Sequence, residues 1–345
     1  MTAETIRAAF CEQARLCRTV GSPFTAEVLE TLAQILDFET ETGRTLLAWP
    51  GDPMRDALPL RIAGGLKALA QANDDADLSA LYAARTGDCA AVLSRVVQQW
   101  DASLLPWLES APQTNEVGRS GVLWPGMMEI AHRFGPRVEL LELGASAGLN
   151  LNLDHYGYNL GGVHAGDAQA LVQLAPVWSG PPPRFAKVDV VERRSVDLNP
   201  LDVSNPDIAA RLLAYVWPDQ PERLARIAAA IAVAHHHPPR VERGDGANWI
   251  ERTLAEPQEA GVTRVVYHSI ALQYFPQAAR ERVVAAIRHA GEKASADRPL
   301  AWLSMEFSAH VTTHAVLSLQ CWPGTGSRET LAHVHPHGAA LTWLG

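Results

Sequence analysis

Five apolar runs in the 345-residue chain end in polar side chains that could do chemistry. Glu142 lies one residue before the end of the run at 138–143. Asp197 closes the stretch around 188–197, and Asp245 follows Arg240-Val241-Glu242-Arg243-Gly244. His268-Ser269 ends the run at 263–269, and Glu306 ends that at 300–306. In an open α/β sheet, ligands bind outside the carboxyl ends of the strands, at the point where strand order reverses. Acidic groups there suit ribose hydroxyls, an adenine amino group or an α-amino group, all of them donors. Asp197 and Asp245 fit a second reading equally well, as helix N-caps. His268 reads either as a histidine packed at a strand end or as the natural candidate for a general base, since its ordinary pKa lies near neutrality, and Tyr274 or Glu306 could orient an acceptor or replace it.

The backbone between two such elements carries its own signal. Residues 142–150 read Glu-Leu-Gly-Ala-Ser-Ala-Gly-Leu-Asn, with Gly144, Ser146 and Gly148 at two-residue spacing. This is the pattern of a strand, a tight bend and a helix amino end, which would offer free N–H groups to an anion. The same residues match Gly-x-Ser-x-Gly, so Ser146 could instead be a hydrolase nucleophile. Upstream, Asn115, Glu116 and Arg119 sit in a polar, glycine-containing loop. It reads either as a linker or as a flap over the bend, with Arg119 able to clamp a carboxylate.

The histidines raise a metal alternative that the spacing does not support. His235-His236-His237 closes a helix, where positive charge is favoured. His333, His335 and His337 alternate, but Pro336 interrupts the strand. His310 and His314 have helical ligand spacing without an acidic neighbour. No metal is expected. Cys11, Cys17, Cys89 and Cys321 fit neither a metal nor a disulfide framework and read as reduced thiols.

These residues must be positioned by two kinds of chain. Residues 1–135 carry amphipathic helical stripes punctuated by Pro and Gly, and read as a helical cap or substrate domain. From 136 to 345, strands alternate with helices, which implies a mostly parallel sheet, and the tail reads as antiparallel strands. Residues 157–187 read as an insertion. A net charge of −9 argues against a nucleic-acid or anionic-membrane surface. With no long apolar window and no leader-like amino terminus, the expectation is a cytoplasmic protein.

The run 142–150 resembles the signature of a bacterial family of unknown function with a class I S-adenosylmethionine-dependent methyltransferase-like core. So do Asp197-Leu198-Asn199-Pro200, Val216-Trp217-Pro218-Asp219-Gln220, Gly244-Asp245, His268-Ser269 with Gln273-Tyr274, and His335-Pro336-His337-Gly338. The resemblance spans nearly the whole chain, including 114–119. It implies a seven-stranded Rossmann-like core that binds S-adenosylmethionine and methylates a small molecule. By that resemblance Glu142, Gly144, Ser146 and Gly148 face the methionine part of the cofactor. Asp197 with Asn199 would take the ribose, and Asp245 with Asn248 the adenine. The strand end at 267–270 lacks the Asp/Asn-Pro-Pro-aromatic sequence of amino-group methyltransferases, which disfavours nucleobase or glutamine amide nitrogen as acceptor. A non-catalytic nucleotide-binding protein on the same fold is the rival reading. The oligomeric state is not legible.

Overall fold

The computed structural model of the chain describes residues 2–308 and 311–345. The first 104 residues form α1 (Ala3–Thr19), α2 (Pro23–Ile35), α3 (Glu41–Leu47), α4 (Leu58–Ala72), α5 (Ala76–Ala84), α6 (Cys89–Gln99) and α7 (Asp101–Leu104). Their starts are written in the sequence. Thr2, Thr40, Asp75 and Asp88 each accept a backbone N–H from the first turn, and α2 opens on a proline. Ile6, Phe10, Ala14 and Cys17 form the buried stripe of α1, packed with Leu29, Leu32, Leu66 and Leu93.

Then come α8 (Ser120–Phe134), β1 (Arg137–Leu143), β2 (Gly157–Leu160), β3 (Val163–Gly166), β4 (Gln173–Leu174), β5 (Val177–Ser179) and β6 (Asp189–Asp197). The chain continues with α9 (Pro206–Ala214), α10 (Pro221–His236), β7 (Val241–Arg243), α11 (Gly246–Ala255), β8 (Thr263–Ser269) and α12 (Gln277–Glu292). It finishes with β9 (Leu300–Ser308), β10 (Val311–Trp322), β11 (Glu329–Val334) and β12 (Ala340–Trp343).

Two compact units result, and neither is continuous in sequence. One is Met1–Thr114 with Asn205–Ala225; the other is Asn115–Ser204 with Arg226–Gly345. The division at 114 rather than 135 has a packing reason. Helix α8 lies on the sheet, where a Cβ on Gly126 would come within 2.7 Å of Leu303. Residues 205–225 join the helical unit through polar anchors. Both carboxylate oxygens of Asp219 accept the amides of Phe24 and Thr25, each at 3.0 Å. The buried ammonium of Lys67 donates to the carbonyls of Leu213 and Val216.

The second unit is built on a nine-stranded sheet of order β5-β12-β11-β10-β9-β8-β1-β6-β7, not the seven strands expected. From β7 through β9 every pairing is parallel; β9 to β12 run antiparallel, and β5 rejoins parallel to β12. The extra width comes from the hairpins of the tail and from β5, contributed by the insertion. The rest of the insertion forms a separate sheet of order β3-β2-β4. Alternation along the strands sends Leu141, Leu143, Val266 and Trp302 to one face, against Trp249, Ile250, Val283 and Ile287 of α11 and α12. Leu303 faces the other way, onto α8. The acid inside the first apolar run, Glu139, is paired with Arg264 at 2.7 Å and Arg194 at 2.9 Å.

Candidate functional site

Strand order reverses between β1 and β8, so the carboxyl ends of these two strands are where a ligand crevice is expected. The bend at 144–148 leaves β1 at that point. Gly144, Ser146 and Gly148 have φ of +71°, +56° and +70°. Glycine at 144 and 148 answers crowding as well as φ. A Cβ would come within 2.7 Å of Ala271 in the first case and of Pro239 in the second.

The amides of the bend are spent inside the protein. Gly144 and Ala145 donate to the carbonyl of Val196, Gly148 to that of Ala145, and Ser146 to Asp197 Oδ2 at 2.8 Å. Leu149 donates to Asn115 Oδ1 at 2.8 Å. The helix expected after the bend is a seven-residue 3₁₀ segment, Leu149–His155, with Asn152 outside helical geometry (φ −95°, ψ 21°). The anion cradle expected at this helix start is therefore not formed. Asn150 and Asn152, poor helix formers, turn their side chains to Glu116 O and His237 O instead.

Asp197 joins two pieces of the site. Its Oδ2 holds the bend through Ser146, and its Oδ1 accepts the amide of Asn199 at 2.8 Å. Beside it, Gly244 donates to the Asp197 carbonyl, and Asp245 caps α11 by accepting the amide of Asn248 at 2.8 Å. The N-cap reading of Asp245 thus describes its contact, and Asp197 caps no helix. The side chain of Asn248 receives a guanidinium N–H from Arg282 at 2.7 Å, and that of Asn199 one from Arg243 at 3.1 Å.

The loop at 115–119 comes to the same place. Asn115 holds the bend, as above. Glu116 is fully buried; its Oε1 accepts the amide of Gly118, and Arg226 stands 3.7 Å away. Arg119 donates to the carbonyls of Ser269 (2.8 Å) and Pro336 (3.0 Å), tying the end of β8 to the turn before β12.

Under the bend, Glu142 is buried on β1 and receives the hydroxyl of Tyr267 from the neighbouring strand at 3.2 Å. Its pKa is pushed up to about 8, chiefly by burial and with help from nearby Asp197, while the Tyr267 hydroxyl and Arg119 oppose the rise. Tyr267, Asn150 and Ser120, which sequence reasoning passed over, complete this network: Ser120 donates to Asn150 Oδ1 at 2.7 Å. Tyr267 could have been noticed as a polar ring directly following the apolar pair Val265-Val266.

On the opposite face of the sheet, His268, Trp302 and Glu306 form a chain. Trp302 Nε1–H donates to His268 Nε2 at 3.0 Å, and His268 Nδ1 meets Glu306 Oε1 at 2.6 Å. An indole nitrogen only donates, so Nε2 is the acceptor and the imidazole proton sits on Nδ1, directed at the carboxylate. Both nitrogens of the expected base are thereby engaged. Glu306 Oε1 also accepts the amides of Ala271 (2.9 Å) and Leu272 (3.1 Å). Burial pushes the Glu306 pKa up, but the donors on Oε1 outweigh it and hold the carboxyl below its usual range. Its other oxygen, Oε2, is buried without a hydrogen-bond partner among the described residues. The period of two from Trp302 through Ser304 to Glu306 is the signal that could have linked these residues. Tyr274 lies on the 3₁₀ turn Leu272–Tyr274 and is 76% exposed.

Among the described residues, no three His, Cys, Asp or Glu side chains gather to hold a metal ion; His310 lies outside the described residues. His314 Nε2 and His333 Nδ1 stand 3.1 Å apart. Among the described residues, no helix is long and apolar enough to cross a membrane.

No curated protein and no solved structure matches the chain. A family model does, over residues 7–343, nearly its whole length and both units. The chain belongs to the bacterial family described as "uncharacterized protein conserved in bacteria (DUF2332)".

Proposed function

We propose that the sheet unit binds S-adenosylmethionine at the β1/β8 reversal and that the protein methylates a small molecule. One observation carries this reading: Asp197, at the carboxyl end of β6, holds the bend of β1 through the Ser146 amide. A carboxylate so placed stands beside the bend with lone pairs left for ribose hydroxyls. The internal engagement of five bend amides favours a ligand without phosphate over a dinucleotide, whose pyrophosphate needs free N–H groups. In this reading the bend and Glu142 face the amino-acid part of the cofactor, and Asp197 with Asn199 faces the ribose. Asp245 and Asn248 flank the adenine. Asn115, Glu116 and Arg119 wall the site, Asn115 by holding the bend and Arg119 by fixing the end of β8.

Methyl transfer needs in-line approach of an acceptor lone pair to the methyl carbon. The C–S bonding pair returns to sulfur, the sulfonium becomes a thioether, and an acceptor that attacks from an O–H or a neutral N–H passes its proton to solvent. Titration calorimetry with S-adenosylhomocysteine and with NAD tests the reading. Binding of the first and not the second is expected; the reverse, or neither, overturns it. Cofactor binding without consumption of S-adenosylmethionine in the presence of any acceptor would make the protein a non-catalytic binder.

One observation favours a second reading, acyl hydrolysis from Ser146: its φ of +56° in a Gly-x-Ser-x-Gly bend. Against it, the histidine ending β8 has both nitrogens engaged with Trp302 and Glu306. Labelling of Ser146 by a fluorophosphonate would favour hydrolysis.

A further inference from the structure

We propose that Glu306, through Oε2, anchors an N–H or O–H group of the methyl acceptor, and that His268 and Trp302 are its positioning residues. The inference rests on the methyltransferase reading and names the acceptor class: a neutral or cationic amine or alcohol rather than a carboxylate or phosphate.

The two oxygens of the Glu306 carboxylate have unlike surroundings. Oε1 accepts three donors: His268 Nδ1–H and the amides of Ala271 and Leu272. Oε2 is buried and accepts none among the described residues. A buried carboxylate oxygen without a donor is costly, and a protein that supplies three donors to one oxygen and none to its twin keeps the second for something it does not itself contain. Arg328, whose guanidinium feels the charge of Glu306, does not fill the role. Its guanidinium donates to Ser304 Oγ at 3.1 Å and acts on Glu306 only through its charge.

The surroundings fix where Oε2 stands. The amides that hold Oε1 belong to the segment leaving β8, beside the bend, where Gly144 meets Ala271. That segment begins with Ile270 at φ +49°, a conformation a β-branched residue adopts only under strain. The Ile270 amide is pinned to the Met305 carbonyl at 2.7 Å. Strain held in place at a strand end, next to a carboxylate oxygen left without a donor, marks a site arranged for a ligand. His268 is 1% exposed and cannot reach a ligand itself.

The test uses the full chain and ethanolamine, which carries both donor types, observed by saturation-transfer NMR with acetate as control. S-adenosylhomocysteine binding is measured on the same samples. Wild type should bind ethanolamine and not acetate. Glu306→Gln should weaken ethanolamine at least tenfold while leaving S-adenosylhomocysteine within a few-fold. His268→Leu should also weaken it. His268→Asn, whose carboxamide nitrogen reaches about where Nδ1 stands, should restore most of the loss, which a merely structural histidine would not show. Ethanolamine binding equal in wild type and Glu306→Gln, no ethanolamine binding by a protein that takes S-adenosylhomocysteine, or preference for acetate overturns the inference and leaves the cofactor reading intact. Ethanolamine binding without S-adenosylhomocysteine binding overturns the cofactor reading and the methyl-acceptor role with it, leaving Oε2 as an amine or alcohol anchor; binding of neither overturns both.

Discussion

Trp302 decides which nitrogen of His268 carries the proton. The indole N–H, 3.0 Å from Nε2, can only donate, so the ring must donate from Nδ1 to Glu306. Trp302→Phe keeps an aromatic ring and deletes that donor. It should cost about 1–3 kcal/mol in chemical denaturation, the penalty of leaving a buried acceptor unsatisfied. It should also produce a mixture of His268 tautomers, visible in the nitrogen shifts of the ring. A single unchanged tautomer would show that Glu306 alone sets it.

Glu142 should make the protein less stable as pH rises. Its folded pKa, about 8, lies above the ordinary value of 4.5, so between these limits the folded state binds the extra proton. Stability from this group is full below about 4.5, falls through the window and levels off above about 8. Glu142→Gln should remove the decline, and the gap between variant and wild type should widen from pH 5 to pH 8. Parallel stability curves would refute the burial argument.

Lys67 should act with the opposite sign. Burial pushes its pKa from 10.5 down to about 7, with Arg223 adding to the fall, so between these values the unfolded chain binds the extra proton. Its contribution to stability therefore rises with pH from about 7 to 10.5. Lys67→Met should lose that rise and leave the carbonyls of Leu213 and Val216 without their donor. Comparing each variant with wild type separates the Lys67 and Glu142 effects, whose windows overlap only near pH 7–8.

Asp197→Asn exchanges an anion that holds two amides for a side chain with one acceptor oxygen. A loss of about 1–2 kcal/mol in stability is expected, one charged hydrogen bond's worth. S-adenosylhomocysteine affinity should fall at least tenfold by calorimetry. Unchanged affinity would remove Asp197 from the cofactor site.

Gly144→Ala combines a positive φ with a 2.7 Å approach to Ala271. It should destabilise by about 1–3 kcal/mol. Adding Ala271→Gly removes the contact but not the backbone strain, so the double variant should recover part of the loss and no more. Full recovery would mean that φ +71° costs nothing here, and no recovery that Ala271 does not matter.

Local signals were legible where chemistry is local. The caps at Thr2, Asp75 and Asp88, the apolar runs that became β1, β8 and β9, and the bend at 144–148 all follow from neighbouring residues. Whether 115–119 is a linker or a flap is not decided by its own residues, since Asn115 meets the Leu149 amide across 34 residues of chain. What escaped was set by distance. Nothing near Val177 indicates that it pairs with Ala340, more than 160 residues away, so the count of strands came out too low. The stretch 205–225 looks like part of the sheet unit until Asp219 is seen capping α2. The short 3₁₀ segment after the bend was hidden because Leu149, Leu153 and Tyr156 keep a helical spacing while Asn152 breaks the geometry.

The strand Val177–Ser179 also has a consequence in time. A ribosome emits it long before residues 340–343, against which it lies, and Trp178 stacks near Trp343, 5.6 Å between ring centres. Until residues 340–343 have been made, this tryptophan and the exposed Val177 have no docking partner on the sheet. The nascent protein therefore carries a sticky, unfinished margin while the intervening stretch of more than 160 residues is made, and that margin closes only once residues 340–343 arrive.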